Sequence, residues 1–159
     1  MIGQLKVLLR VKQLKEEQAF RAMTAKRQEV SEALAAVEAA KVRVRESAAT
    51  LPAREEAIYR EILRRVVDLP TIDNTKGKVL ALETEHAKLV DARERAAHVH
   101  ARLEKELEDA VRAYRQCVKN RDKYVVLSEQ LGAELQAQID YREESETEDI
   151  FSTRRRKAA

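Results

Sequence analysis

Counting by sevens from Leu82 picks out Leu89, Ala96, Leu103, Ala110, Cys117, Tyr124 and Leu131, an unbroken line of apolar or amphipathic side chains. A sevenfold line of that length demands a long helix whose stripe stays against a partner, because a 3.5-residue repeat holds the stripe on one side. The companion series three residues earlier reads Val79, His86, Arg93, His100, Leu107, Tyr114, Arg121, Ser128 and Leu135, so apolar and polar layers alternate along a narrow seam. Val99, Ala92, Ala113 and Leu127 widen its apolar side. The first half carries the same stride in Leu9, Glu16, Met23, Val30, Val37, Val44, Leu51 and Ile58, with Phe20, Leu34, Ala48 and Ile62 beside that line.

Between the two halves lies DLPTIDNTKGK, residues 68–78, which gathers Pro70, Asn74 and Gly77 with helix N-cap residue types and so reads as the tip of a hairpin. The chain has three glycines and two prolines in 159 residues, against an ordinary usage of roughly 12 per cent. With so few residues that reach positive φ or fix φ, it can change direction only once or twice. Charged residues at 37 per cent and aromatics at 4 per cent complete a long-helix composition. The expected fold is therefore all-α: a long two-stranded antiparallel coiled-coil hairpin over residues 1–143, each arm on the order of 100 Å long. Residues 1–69 and about 75–143 form the arms. If residues whose numbers sum to about 147 face each other, Ile58 meets Leu89, Val44 meets Leu103 and Val30 meets Cys117; a shift by whole heptads satisfies the same pattern. Pro52 should kink or interrupt the first arm, with Thr50 capping a restart. Beyond Tyr141 come EESETED and RRRK, which read as a disordered charged tail over residues 144–159.

With 31 basic and 28 acidic side chains the formal charge is +3, too balanced to argue for nucleic acid. The single cysteine, Cys117, suits a reducing compartment, and no stretch has the length of a signal peptide's apolar core or of a membrane span. Catalytic patterns fail one by one. Gly77-Lys78 lacks the second glycine and the Ser or Thr of a phosphate-binding loop. His98 and His100 point to nearly opposite helix faces, and His86 and His100 stand about 21 Å apart along a helix. No catalytic residue, cofactor or metal ligand is expected. The seam histidines serve as polar register-setters, and Cys117 as a small buried hydrophobe.

Two regions carry more apolar surface than a two-helix seam covers. Near the tip stand Ile58, Tyr59, Ile62, Leu63, Val66, Val67, Leu69 and Ile72: either a local cluster or an interface, since contiguous exposed apolar patches commonly mark protein contacts. At the start, Leu5, Val7, Leu8, Leu9, Val11 and Leu14 alternate with Lys6, Arg10, Lys12 and Lys15. Such a basic amphipathic helix suits a membrane surface or RNA, and packing on the second arm or in a protein cavity at least as well.

The opening MIGQLKVLLRVKQLKEEQAF, the middle block EEAIYREILRRVVDLP and the late block AYRQCVKNRDKYVVLSEQ, in that order and spacing, resemble the small stalk protein of bacterial type III secretion systems, the YscO type, related to the flagellar export protein FliJ. The resemblance spans residues 1 to about 140. It implies a cytoplasmic, non-enzymatic stalk at the inner-membrane face of the secretion apparatus. Its partners would be the type III secretion ATPase, the cytoplasmic domain of the export gate and chaperones of secreted translocators. Apolar excess together with this resemblance puts the gate contact at Tyr59, Ile62, Leu63, Val66 and Val67, and the ATPase contact at Leu5, Leu8, Leu9, Lys12, Lys123 and Leu131. The expected state is a monomer with neither nucleic acid nor membrane insertion. The rival readings are a coiled-coil adaptor or chaperone-like scaffold and, less favoured, an RNA- or ribosome-binding arm.

Overall fold

The computed structural model describes residues 2–158. Two helices, α1 (Ile2–Arg60) and α2 (Leu69–Ala158), pack against each other as a helical hairpin, with no strand among the described residues. The chain divides into a loop-bearing unit, Thr24–Asp109, and a terminal unit, Met1–Met23 with Ala110–Ala159.

In the loop-bearing unit the reversal occupies residues 61–68, earlier than the expected tip at 68–78. Local chemistry accounts for the difference. The last turn of α1 tightens: the amides of Glu61 and Ile62 donate to the carbonyls three residues back, Ile58 and Tyr59, at 3.3 and 3.2 Å. Arg64 then takes φ 60°, the left-handed conformation that ends many helices and that a Cβ makes costly by about 1 kcal/mol. Four residues on, the Asp68 carboxylate accepts from the Thr71 amide at 3.2 Å and from the Thr71 hydroxyl, which makes Asp68 the N-cap of α2. Pro70 follows inside the first turn, where a missing N–H costs nothing because those donors have no helical partner. Asn74 and Gly77 are thereby helical rather than turn residues.

The bonds from Thr71 hold the Asp68 carboxyl below its ordinary value near 3.8. A depressed carboxylate stabilises the fold above its unfolded pKa, and that contribution disappears as pH falls through the folded one. Asp68→Ala should lower the thermal midpoint by about 3 °C at neutral pH. The gap to wild type should close below about pH 4, as followed by circular dichroism across a pH series. At Gly77 an added Cβ meets nothing within 4 Å. Gly77→Ala should accordingly stabilise by about 1 kcal/mol in urea denaturation, whereas a turn glycine would resist the change.

The α1 side of the seam in this unit is built from Ala33, Val37, Ala40, Val44 and Ser47, all buried and spaced alternately four and three apart. Val79 and Thr75 are the buried residues of α2. Small side chains thus alternate with valine, so the companion line on α1 is Ala33, Ala40 and Ser47, while Leu34 beside it is exposed. In the terminal unit Met23 is buried, and Leu5, Leu9 and Ala19 are half-buried on one side. Both sevenfold lines of α2 are half-buried from Leu82 to Leu131, and Leu135 is exposed.

The register differs from the one expected. Lys26 meets Glu106, Ser47 meets His86 and Arg54 meets Glu85 in the loop-bearing unit; Lys12 meets Tyr124 and Glu16 meets Arg121 in the terminal unit. These numbers add to between 132 and 139, about one to two heptads below 147. The earlier loop is the cause, since it moves every pairing toward lower numbers.

Two further expectations change. Helix α1 runs through Pro52. Thr50, instead of capping a restart, donates its hydroxyl to the carbonyls of Glu46 at 3.0 Å and Ser47 at 3.3 Å. Packing explains the continuity: Val44 and Ser47 are buried before the proline, and Leu51 and Ile58 half-buried around it, so the stripe is held on both sides of the lost bond. Residues 144–158 continue α2 as helix instead of forming a disordered tail. Their Glu, Arg and Lys are good helix formers, and Arg155, Arg156 and Lys157 in the last turn oppose the helix dipole. Ala159 and Met1 lie outside the described residues.

Candidate functional site

Several polar side chains of the seam pair across it. In the terminal unit Arg121 Nη1 donates to both carboxylate oxygens of Glu16 at 2.8 Å, while its Nε and Nη2 reach Asp122 Oδ1 at 3.2 and 2.9 Å. The Asp122 bonds first, and the Glu16 charge with them, raise the guanidinium's proton affinity against its desolvation. Lys12 Nζ lies 5.3 Å from the centre of the Tyr124 ring, a cation–π contact. Phe20 tilts against Tyr114 with ring centres 5.6 Å apart.

In the loop-bearing unit Lys26 bridges Glu106 at 2.7 Å and Glu29 at 2.9 Å. Hydrogen bonding to Glu106, then to Glu29, raises the Lys26 pKa, and the bond from Lys26 lowers that of Glu106. Ser47 Oγ and His86 Nδ1 stand 2.8 Å apart, so this seam histidine has a partner on the opposite helix, as a register-setting residue should. His100 instead lies 3.4 Å from Glu104 on its own helix. Among the described residues no group of three or more His, Cys, Asp or Glu could hold a metal ion. Cys117 is free and half-buried on the seam.

The loop brings the residues expected at the gate contact into one neighbourhood, divided by exposure. Tyr59, Leu63 and Val66 are exposed, joined by Leu69 and Leu80, while Ile62 and Val67 are half-buried. Ile62 follows Ile58 by four residues and so stays on the packed side, Tyr59 and Leu63 lie beside it, and the left-handed Arg64 carries Val66 out of the helix into solvent.

The terminal unit divides the other expected set. Leu5, Leu9 and Leu131 are half-buried along the seam lines, and Lys12 is half-buried over Tyr124. Leu8 and Lys123 are exposed. The structure adds apolar residues that sequence reasoning left out of this set: Val7, Val11 and Leu14 on α1, and Val126 and Leu127 beside Lys119 and Lys123 on α2. Their signal was present. Val7, Val11 and Leu14 are spaced four and three apart and therefore share a helix face, offset from the face of Leu5, Leu9 and Lys12. Among the described residues no helix is long and apolar enough to cross a membrane.

Comparison with known proteins places this arrangement. The family model of type III secretion protein YscO matches residues 5–153. The 2.8 Å crystal structure of type III secretion protein YscO from Vibrio parahaemolyticus has the same fold, with a TM-score of 0.88 over 93% of each chain at 21% sequence identity. Among curated proteins none matches. At 21% identity the structural likeness carries the fold alone. The family match runs over nearly the whole sequence, and on that ground this chain belongs to the type III secretion protein YscO family.

Proposed function

We propose that this protein is the central stalk of a type III export apparatus, acting without chemistry of its own at the cytoplasmic face of the inner membrane. In this reading the loop-bearing end meets the cytoplasmic domain of the export gate and the terminal end meets the secretion ATPase. Chaperones of secreted translocators are transient cargo. The observation that carries it is the presence of separate exposed apolar groups in the two units: Tyr59, Leu63 and Val66 in one, and Val7, Leu8, Val11 and Leu14 in the other. Side chains of this kind, left outside the seam, favour contact with larger proteins.

Leu8 and Lys123 are the direct ATPase contacts in this proposal, while Leu5, Leu9, Lys12 and Leu131 hold the two helices in the conformation that presents them. At the gate contact Val67 and Ile62 play the corresponding supporting part behind Tyr59, Leu63 and Val66. The test is photo-crosslinking in the native cell with a probe amino acid at Val66 or, separately, at Leu8. Capture of the export gate from the first position and of the secretion ATPase from the second is the expected result. Capture of ribosomal proteins, or of a broad set of clients, from both would replace the stalk with an RNA-binding arm or an adaptor.

A further inference from the structure

Every residue of α2 from Gly132 to Ala158 is exposed, so over this stretch the helix packs on nothing within the chain. Its charges are arranged in two blocks. Glu143, Glu144, Glu146, Glu148 and Asp149 come first, and Arg154, Arg155, Arg156 and Lys157 come second. A helix neutralises opposite charges three or four residues apart, yet the residues three and four before each of these bases are Ile150, Phe151, Ser152, Thr153 or Arg154. The two blocks have no means of pairing within their own helix. Among the described residues, every ion pair lies between Glu16 and Asp122 in sequence or rests on residues no further along than Arg112 and Asp122. Between the blocks stand two large apolar side chains in solvent, Ile150 at 58% and Phe151 at 62% exposure.

That order is self-complementary. Turn a second copy of the helix end for end about the point between Ile150 and Phe151, and each acidic block lies along the other copy's basic block. Ile150 comes opposite Phe151 of the second copy. On one flank of that pair Glu146 shares a helix side with Lys157, and on the other Glu144 shares a side with Arg155, so the two-fold sets Glu146 beside the second copy's Lys157 and Glu144 beside its Arg155. A parallel arrangement would set like charges together. We propose that the terminal helix of this protein, over about residues 140–158, is a two-fold antiparallel docking segment for a second copy of the same chain. The hairpin of each chain is left closed, and the inference is independent of the stalk reading. Contact along one face of so short a helix belongs to the small, transient class of interface. Its charge pairs sit at the surface and are weakened by salt.

Analytical ultracentrifugation of the full chain tests this, from about 10 to about 500 μM at low salt. The weight-average mass should climb from the 18.2 kDa of one chain toward twice that value, and fall back at about 0.5 M salt. Two charge-swapped variants sharpen the test. The first is Arg154→Glu, Arg155→Glu and Arg156→Glu; the second is Glu143→Lys, Glu146→Lys and Glu148→Lys. Each should remain a single chain alone, and a mixture of the two should associate at least about tenfold more tightly than either by itself. Because all the altered side chains are solvent-exposed, unchanged far-ultraviolet circular dichroism shows that the hairpin persists. Ile150→Asp with Phe151→Asp should abolish association. A mass of 18.2 kDa at every concentration, a mixture no tighter than its components, or a dimer that survives loss of Ile150 and Phe151 would overturn the proposal.

Discussion

Val37→Asp should destabilise the loop-bearing unit by about 3 kcal/mol, the largest loss expected from any single substitution considered for this fold. Val37 is 6% exposed in the middle of the run Ala33, Val37, Ala40 and Val44. The seam is only two residues wide per heptad, so nothing behind it shares the burden. An aspartate there either buries an unpaired charge or takes up a proton and still leaves a polar group among methyl groups. Lys41, one turn along the same helix, already pairs with Glu38 at 3.5 Å. Val42 supplies the control, since it is 40% exposed on the same helix. Val42→Asp should change stability by no more than about 0.5 kcal/mol. Urea denaturation with hydrogen exchange read over residues 24–109 distinguishes the two. Equal stability of both variants would mean that the α1–α2 seam is not what holds this unit together.

The second large effect concerns function. Leu63 and Val66 are 59% and 106% exposed, so Leu63→Asp with Val66→Asp removes little intramolecular packing, and folding stability should stay within about 0.5 kcal/mol of wild type. If these residues form the centre of the gate contact, their loss should weaken capture there by about 30-fold or more, the scale of an interface hot spot at 2 kcal/mol. Quantitative crosslinking from a probe at Tyr59 gives the number, with a probe at Leu8 as the internal reference that should not change. Val67 is unsuited to the same experiment because it is half-buried, and an aspartate there would mix a folding defect with a binding one. Undiminished capture at Tyr59 by the doubly altered protein would move the gate contact elsewhere.

Much of the architecture was legible because coiled-coil geometry is written one residue at a time. The two sevenfold lines of the second half, through Leu82 and through Val79, are the packed lines of α2, and the line from Leu9 to Ile58 is a packed line of α1. A repeat of 3.5 leaves only one face available to a partner, so the pattern alone names the residues on it. The companion line of α1 was harder to see. Ala33, Ala40 and Ser47 carry little hydrophobicity, and the larger Leu34 and Phe20 draw the eye although both are exposed. Small residues at a helix contact signal close approach, which a hydropathy pattern does not score.

The interaction surfaces were legible as composition and not as geometry. Both apolar excesses can be counted from the sequence, yet which members face outward depends on where the helix ends and which stripe the partner covers. Val7, Val11 and Leu14 became visible as a face only after Leu5, Leu9 and Lys12 had been placed on the seam.

By itself, then, the sequence determined that two long helices would pair along a narrow, partly polar stripe, since heptad spacing and the near absence of glycine and proline admit little else. Tertiary structure decided where the chain turns and hence which residues meet. Asp68, Thr71 and Arg64 act through backbone conformations and bonds that sequence pattern ranks below Pro70 and Gly77. It also decided that Pro52 lies within one helix and that the charged C-terminal stretch is helical. The turn was open because heptads are translationally degenerate, so a shift by seven residues satisfies the periodic pattern equally well, whereas the continuity at Pro52 comes from packing on both sides of it and the helical C-terminal stretch from its helix-forming residues. Only the capped loop and the specific cross-seam bonds of Lys26, Ser47 and Glu16 distinguish one register from the next.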